Sequence, residues 1–107
     1  MAKVFVDGRN VQRSQWPNLS DEELLERARA WAERNRHELV LVFDGEAPEG
    51  AIGTVGESAD DWLIREVPAH PGAWLVTSDR ALRDAAGSNA DRIIGGGGFL
   101  KEVLRHR

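Results

Sequence analysis

Three apolar runs in this chain end in an aspartate: Val4-Phe5-Val6-Asp7, Leu39-Val40-Leu41-Val42-Phe43-Asp44 and Trp74-Leu75-Val76-Thr77-Ser78-Asp79. If the runs are neighbouring parallel strands, their carboxylates gather at one edge of a sheet, the edge where open α/β sheets bind ligands. Neighbouring strands lie only ~4.8 Å apart, so ionised side chains there repel by a few kcal/mol per close pair at an effective dielectric of about 20. A divalent cation is the simplest way to relieve that repulsion.

The segments between the runs carry the other half of the pattern. After the first strand, the stretch from Gly8 to Leu19 reads as a loop. A helix is expected from Ser20, where Ser20-x-x-Glu23 forms a capping box and Leu19 and Leu24 stand at hydrophobic-staple positions. Leu24, Leu25, Ala28, Trp31 and Ala32 keep helical spacing, and the helix ends near Asn35. The second strand, about 38–44, is nearly continuous in apolar residues, as expected when both faces of a parallel strand are covered. A glycine-rich loop follows, with room for a short irregular strand around 51–55.

A second helix is expected from Ala59 to Val67, stopping before Pro68. Strand three is expected over 73–78, helix three over 79–86 with Gly87 as its C′ residue, and strand four over 91–95. The tetraglycine 95–98 leads into a last helix whose Phe99, Leu100, Val103 and Leu104 form the buried face. Strands and helices alternate throughout. The expected fold class is therefore α/β, a three-layer sandwich on a parallel sheet of about four main strands with strand one between strands two and three. At 107 residues, one domain over 1–107 is expected.

Composition narrows the chemistry. With no cysteine there is no thiolate metal site, and His37, His70 and His106 share no ligand spacing. Any metal must be held mainly by oxygen, which favours Mg²⁺ or Mn²⁺. No window resembles a membrane span, and the start of the chain shows no signal-peptide pattern, so a cytoplasmic location without membrane association is the default expectation. The formal net charge of -4 is unlike a nucleic-acid binder, yet it becomes +1 once Asp7, Asp44, Glu57, Asp60 and Asp79 are set aside as one site.

In the second helix Asp60, Leu63, Ile64 and Val67 share a stripe, so Asp60 is expected to face the protein. Asp61 lies on the other side with Arg65, where it also fits a capping box with Ser58. Glu57 either reaches the same ion or complements the helix dipole. Each strand-end acid also has a plain structural reading, as a turn residue for Asp7 and Asp44 and as an N-cap for Asp79. Asn10 is placed to position a carboxylate, water or phosphate, and Ser78 either caps a helix or meets a phosphate oxygen. Carboxylates around Mg²⁺ or Mn²⁺ can bind a phosphodiester and lower the pKa of a bound water. Arg9, Arg13, Arg80 and Arg83 flank the edge and suit a polyanionic backbone. Trp16 and Trp62 suit stacking on unpaired bases, although Trp62 also fits the core.

These segments resemble the NYN domain of the PIN-like metal-dependent ribonuclease superfamily, most of all its bacterial YacP-type members. The matching pieces are Val6-Asp7-Gly8-Arg9-Asn10-Val11, Val42-Phe43-Asp44-Gly45, Glu57-Ser58-Ala59-Asp60-Asp61-Trp62-Leu63-Ile64, Val76-Thr77-Ser78-Asp79-Arg80-Ala81-Leu82-Arg83 and Gly97-Gly98-Phe99. The resemblance implies a ribonuclease in which Asp7, Asp60 and Asp79 hold catalytic metal while Asn10 and Asp44 support the site. It also implies RNA as substrate, with the ribosome or another RNA–protein assembly as a source of affinity, and a monomer or weak homodimer. The rival expectations are a catalytically silent RNA- or protein-binding module of the same fold, and a metal-dependent phosphatase or phospho-acceptor domain.

Overall fold

In the computed structural model, which describes residues 1–105, the apolar runs pair side by side in parallel. The elements are β1 (Lys3–Asp7), α1 (Gly8–Arg13), α2 (Asp21–Asn35), β2 (Glu38–Asp44), β3 (Ile52–Thr54), α3 (Ala59–Glu66), β4 (Trp74–Val76), α4 (Arg80–Ala86), β5 (Arg92–Ile94) and α5 (Gly96–Arg105). The sheet order is β3-β2-β1-β4-β5, all parallel. β1 thus lies between the strands of the second and third apolar-aspartate runs, as expected. The sheet has five strands rather than four, because the irregular segment after β2 pairs along its edge through Val42, Phe43 and Asp44.

Side chains alternate across the strands and fill two apolar layers. Val4, Val6, Leu41, Phe43 and Val76 face α2 and α5, meeting Leu24, Ala28, Trp31, Phe99 and Val103. Phe5, Val40, Val42 and Leu75 face α3 and α4, meeting Ala59, Leu63, Val67, Leu82 and Ala86. With both faces covered, β1 and the middle of β2 have no polar side, which is why their sequence runs unbroken. Burial of a side chain such as Leu41, 1% exposed, contributes roughly 1.5–3 kcal/mol.

Helix α2 begins with the expected capping box, Ser20 Oγ accepting from the Glu23 amide at 3.1 Å and Glu23 Oε1 from the Ser20 amide at 3.2 Å. Three local expectations are corrected. The first half of the Gly8–Leu19 segment is helical: α1 buries Val11 and Gln12, but six residues with one apolar side chain display no periodicity. The buried stripe of α3 runs through Ala59, Leu63 and Val67, leaving Ile64 38% exposed, because the α4 side of the helix sets its rotation. Gly87 ends α4 in a right-handed conformation (φ -91°), so a left-handed turn is not its reason. A Cβ there would crowd the Arg83 carbonyl and Ile93.

The tetraglycine is also placed differently, with three of its members inside α5. A Cβ on Gly96 would collide with Asn10 Oδ1 and lie 2.9 Å from Ser14 Oγ, so glycine lets α5 approach α1 at the C-terminal edge of the sheet. A Cβ on Gly98 meets nothing within 4 Å. Two glycines in one helix should therefore respond oppositely to alanine. Urea unfolding should show Gly96→Ala less stable by about 1–2 kcal/mol, as Asn10 is displaced. Gly98→Ala should gain about 0.5–1 kcal/mol from helix propensity.

Candidate active site

The register places Asp7 opposite Val42 and Val6 opposite Val76, so β1 ends beside the turn that carries Thr77, Ser78 and Asp79. Asp7 is 6% exposed and Thr77 fully buried. Thr77 joins two acids: its hydroxyl donates to Asp7 Oδ2 at 3.1 Å and accepts from the Asp79 amide at 3.1 Å. Sequence reasoning passed over Thr77, although a threonine between an apolar strand and an acid is the available signal. Its neighbour Ser78 donates its amide to Asn10 Oδ1 at 2.8 Å and accepts from the Gly96 amide through Oγ, also at 2.8 Å. One serine thereby fastens α1, the β4–α4 turn and the start of α5.

The other acids arrive from separate elements. Asp79 is the N-cap of α4, with Oδ1 accepting from the Leu82 amide at 3.1 Å. Ser78 is thus not the cap of that helix but secures the first turn of α5. Asp44 Oδ1 accepts from the Ala59 amide at 2.6 Å, pinning the first turn of α3, and with it Asp60, to the end of β2. Asp60 is exposed at the rim, yet it lies within electrostatic reach of Asp7, Asp44 and Asp79. Asp61 is exposed and its amide donates to Ser58 Oγ at 3.0 Å. Glu57 is turned away from the cluster, with both oxygens on Arg65 at 2.6 and 2.9 Å.

Charge accumulates where these elements meet. Burial pushes the Asp7 carboxyl above its ordinary value; Asp60 and Asp44 add to the rise, while the Thr77 hydroxyl and the Asn10 amide oppose it. Asp60 is raised as well, first by its own partial burial and then by Asp79, Asp44 and Asp61, with Arg13 opposing. Glu57 moves the other way because Arg65 holds its charged form.

An all-oxygen donor set in which burial and neighbouring acids raise Asp7 and Asp60 suits the chemistry of a hard divalent ion. In the present rotamers, however, no three His, Cys, Asp or Glu side chains among the described residues converge closely enough to share one. Asp60 and Asp79 are both exposed, and Asp79 Oδ1 is held by the Leu82 amide. His37 and His70 lie elsewhere, and His106 is outside the described residues.

The basic residues divide. Arg13 and Arg80 are exposed, and Arg13 is close enough to ease the charge of Asp60. Arg9 is held internally, on Asp21 at 2.7 Å, Gln12 at 2.9 Å and the Phe43 ring at 4.9 Å. Arg83 Nε donates to the Thr77 carbonyl at 2.9 Å, bracing the turn that carries Asp79. Asn10, Arg13, Ser14, Ser78 and Gly97 line an open cleft of about 370 Å³. Trp16 is 84% exposed two residues beyond Ser14, whereas Trp62 is half-buried against Phe5.

No protein-family model matches the chain, and no curated protein matches it by sequence. Among solved structures it is similar to Rae1 (YacP) from Bacillus subtilis. A tryptophan-to-leucine mutant of that protein superposes with a TM-score of 0.79 at 21% identity, covering 98% of this chain and 76% of that one. A second Rae1 (YacP) structure gives 0.74 at 20% identity over 98% and 75%. The chain therefore has the α/β fold of Rae1, the fold expected from the YacP-type motifs.

The raised carboxyls have a sign that stability measurements can read. The Asp7 pKa is higher folded than unfolded, so its charged form costs stability above the folded pKa, and that cost fades as pH falls through it. Asp7→Asn, which keeps an oxygen for Thr77, should melt a few degrees higher than the parent at pH 7. The gap should narrow as pH is lowered toward the ordinary aspartate value near 3.8. Thermal melts across that window check both the sign and the narrowing.

Proposed function

We propose that this protein is a metal-dependent ribonuclease that hydrolyses RNA phosphodiester bonds endonucleolytically at the C-terminal edge of its sheet. The observation that carries the reading is the buried Asp7, bonded to Thr77 and in the field of Asp60 and Asp44, with Asp79 acting on Asp60, on a Rae1-like fold. Asp7, Asp60 and Asp79 are the candidate ligands for Mg²⁺ or Mn²⁺. When bound, such an ion would supply an activated water and charge stabilisation at the phosphodiester.

The chain's own groups have separate tasks. Thr77 holds the Asp7 carboxylate in one orientation and ties it to the backbone of Asp79. Asp44 fixes the position of Asp60 through α3. Asn10 and Ser78 keep the rim of the cleft in place, and Arg13 and Arg80 are the cations exposed for phosphate contacts. Arg9 and Arg83 act indirectly, through α1 and the β4–α4 turn. Glu57 and Asp61 stand outside the ligand set in this reading. RNA is the proposed partner, with a ribosome or similar assembly as an added source of affinity, and the cytoplasm the expected compartment.

Labelled single-stranded RNA, duplex RNA and DNA incubated with Mn²⁺, Mg²⁺ or EDTA test the proposal. Cleavage of RNA that disappears in EDTA is expected. Asp7→Asn and Asp79→Asn should lower the rate about 100-fold or more, and Asp44→Asn about tenfold, whereas Asp61→Asn and Glu57→Gln should stay within about threefold of the parent. Equal cleavage by Asp7→Asn, Asp79→Asn and parent protein would sink the assignment. Calorimetry with Mn²⁺ adds a readout independent of turnover: binding lost in both variants supports the ligand set, and its absence from the parent favours a silent module.

A further inference from the structure

Just beyond the cleft lined by Asn10, Arg13, Ser14, Ser78 and Gly97, the chain leaves α1 in an exposed loop that carries Trp16. This indole is 84% exposed, whereas every other tryptophan or phenylalanine among the described residues is at least partly buried. Its faces are bare, because the ring–ring contacts and cation–π pairs among the described residues all involve other aromatics. A single exposed apolar side chain carries no meaning by itself. The surroundings of Trp16 supply it.

The loop is braced from within. Gln12 Nε2 donates to the Leu19 carbonyl at 3.1 Å and closes its base, and Ser14 Oγ donates to the Asn10 carbonyl at 2.9 Å. The Asn18 side-chain amide, turned so that both its ends are satisfied, donates to the Gln12 and Gln15 carbonyls at 2.7 and 2.9 Å. Arg13 is exposed, forms no ion pair among the described residues, and acts on Asp60 through its charge. Asn10 Oδ1 is taken by the Ser78 amide and Ser78 Oγ by the Gly96 amide, which leaves Asn10 Nδ2 and the Ser78 hydroxyl hydrogen as donors beside Arg13. Two residues of chain span at most roughly 7 Å, so Trp16 stands close behind Ser14 at the border of this cleft.

We propose that Arg13 and Trp16 form a subsite for one unpaired nucleotide of the RNA beside the bond that is cut, with Arg13 on its phosphate and Trp16 stacked on its base, so that single strands are selected over duplex. Such a subsite rests on the ribonuclease reading for its ligand and adds a preference that the acidic edge alone does not impose. A cation on the backbone combined with a ring on the base is how proteins grip single strands irrespective of sequence. In a duplex both faces of each base are already stacked on neighbours, and extruding one costs a few kcal/mol. A loop held in place before binding keeps the ordering cost of the contact low.

Fluorescence anisotropy in EDTA, where nothing is cut, tests the subsite with three labelled probes: a short single-stranded RNA, its duplex, and an abasic strand of the same length that keeps every phosphate. The parent should bind the single strand most tightly. Trp16→Ala should weaken the single strand about fivefold or more while moving the duplex and the abasic strand less than about twofold. Trp16→Phe, which restores a ring, should recover most of that loss. Arg13→Ala should weaken single and abasic strands alike and flatten the salt dependence on the single strand by about 0.7 in log–log slope. Because both side chains are exposed, melting temperatures should match the parent. The subsite is overturned if the parent binds duplex as tightly as single strand, if Trp16→Ala loses nothing, or if it loses as much on the abasic strand. Trp16-dependent binding without cleavage in Mn²⁺ or Mg²⁺ supports the subsite and sinks only the ribonuclease reading. Metal-dependent cleavage with an unaltered strand preference in Trp16→Ala overturns the subsite alone.

Discussion

The arrangement at the C-terminal edge depends on burying one carboxylate. β1 is the central strand, with a strand on each side and helices on both faces, so the residue that ends it cannot reach bulk water freely. Asp7 therefore sits in a medium that penalises its charge, and other acids nearby add to the penalty. The Thr77 hydroxyl offsets part of it. The remainder leaves Asp7 disposed toward a proton or a cation, a common condition of groups that do chemistry.

The surrounding bonds limit how the edge can relax. Asp44 grips the first turn of α3, Asp79 caps α4, and Ser78 links Asn10 to Gly96. Three of the acids, Asp7, Asp44 and Asp79, are thus held by the Thr77 hydroxyl and by backbone amides, and Asp60 follows Asp44 through the first turn of α3. Such acids repel, and a fold that keeps them together gives up stability there; functional sites commonly do this.

The two ends of the sheet differ in chemical character. The end where strands finish is acidic and polar, while the end where they begin gathers tryptophan, histidine and arginine around a cavity. Helix α5 spans both, with Gly96 against Asn10 at one end and Glu102 beside the ring-lined cavity at the other. Gly96 permits the close approach of α5 to α1.

What the sequence determined by itself is the alternation of elements, the central position of β1 and the grouping of Asp7, Asp44 and Asp79 at one edge, because an unbroken apolar run needs cover on both faces and parallel strands share a direction. Helical spacing put Asp60 on the protein-facing stripe, whereas Asp60 and Ile64 are both exposed and the buried stripe runs through Ala59, Leu63 and Val67. Local sequence could not separate the arginines: Arg9 and Arg83 are drawn inward by Asp21 and the Thr77 carbonyl, while Arg13 and Arg80 stay exposed. Nor could it show that Glu57 is occupied by Arg65, that Thr77 bridges two acids, or that Gly96 makes room for Asn10. Those outcomes were decided by tertiary structure, because each depends on which partner arrives from another element, and the bond from Thr77 to Asp7 joins residues seventy positions apart.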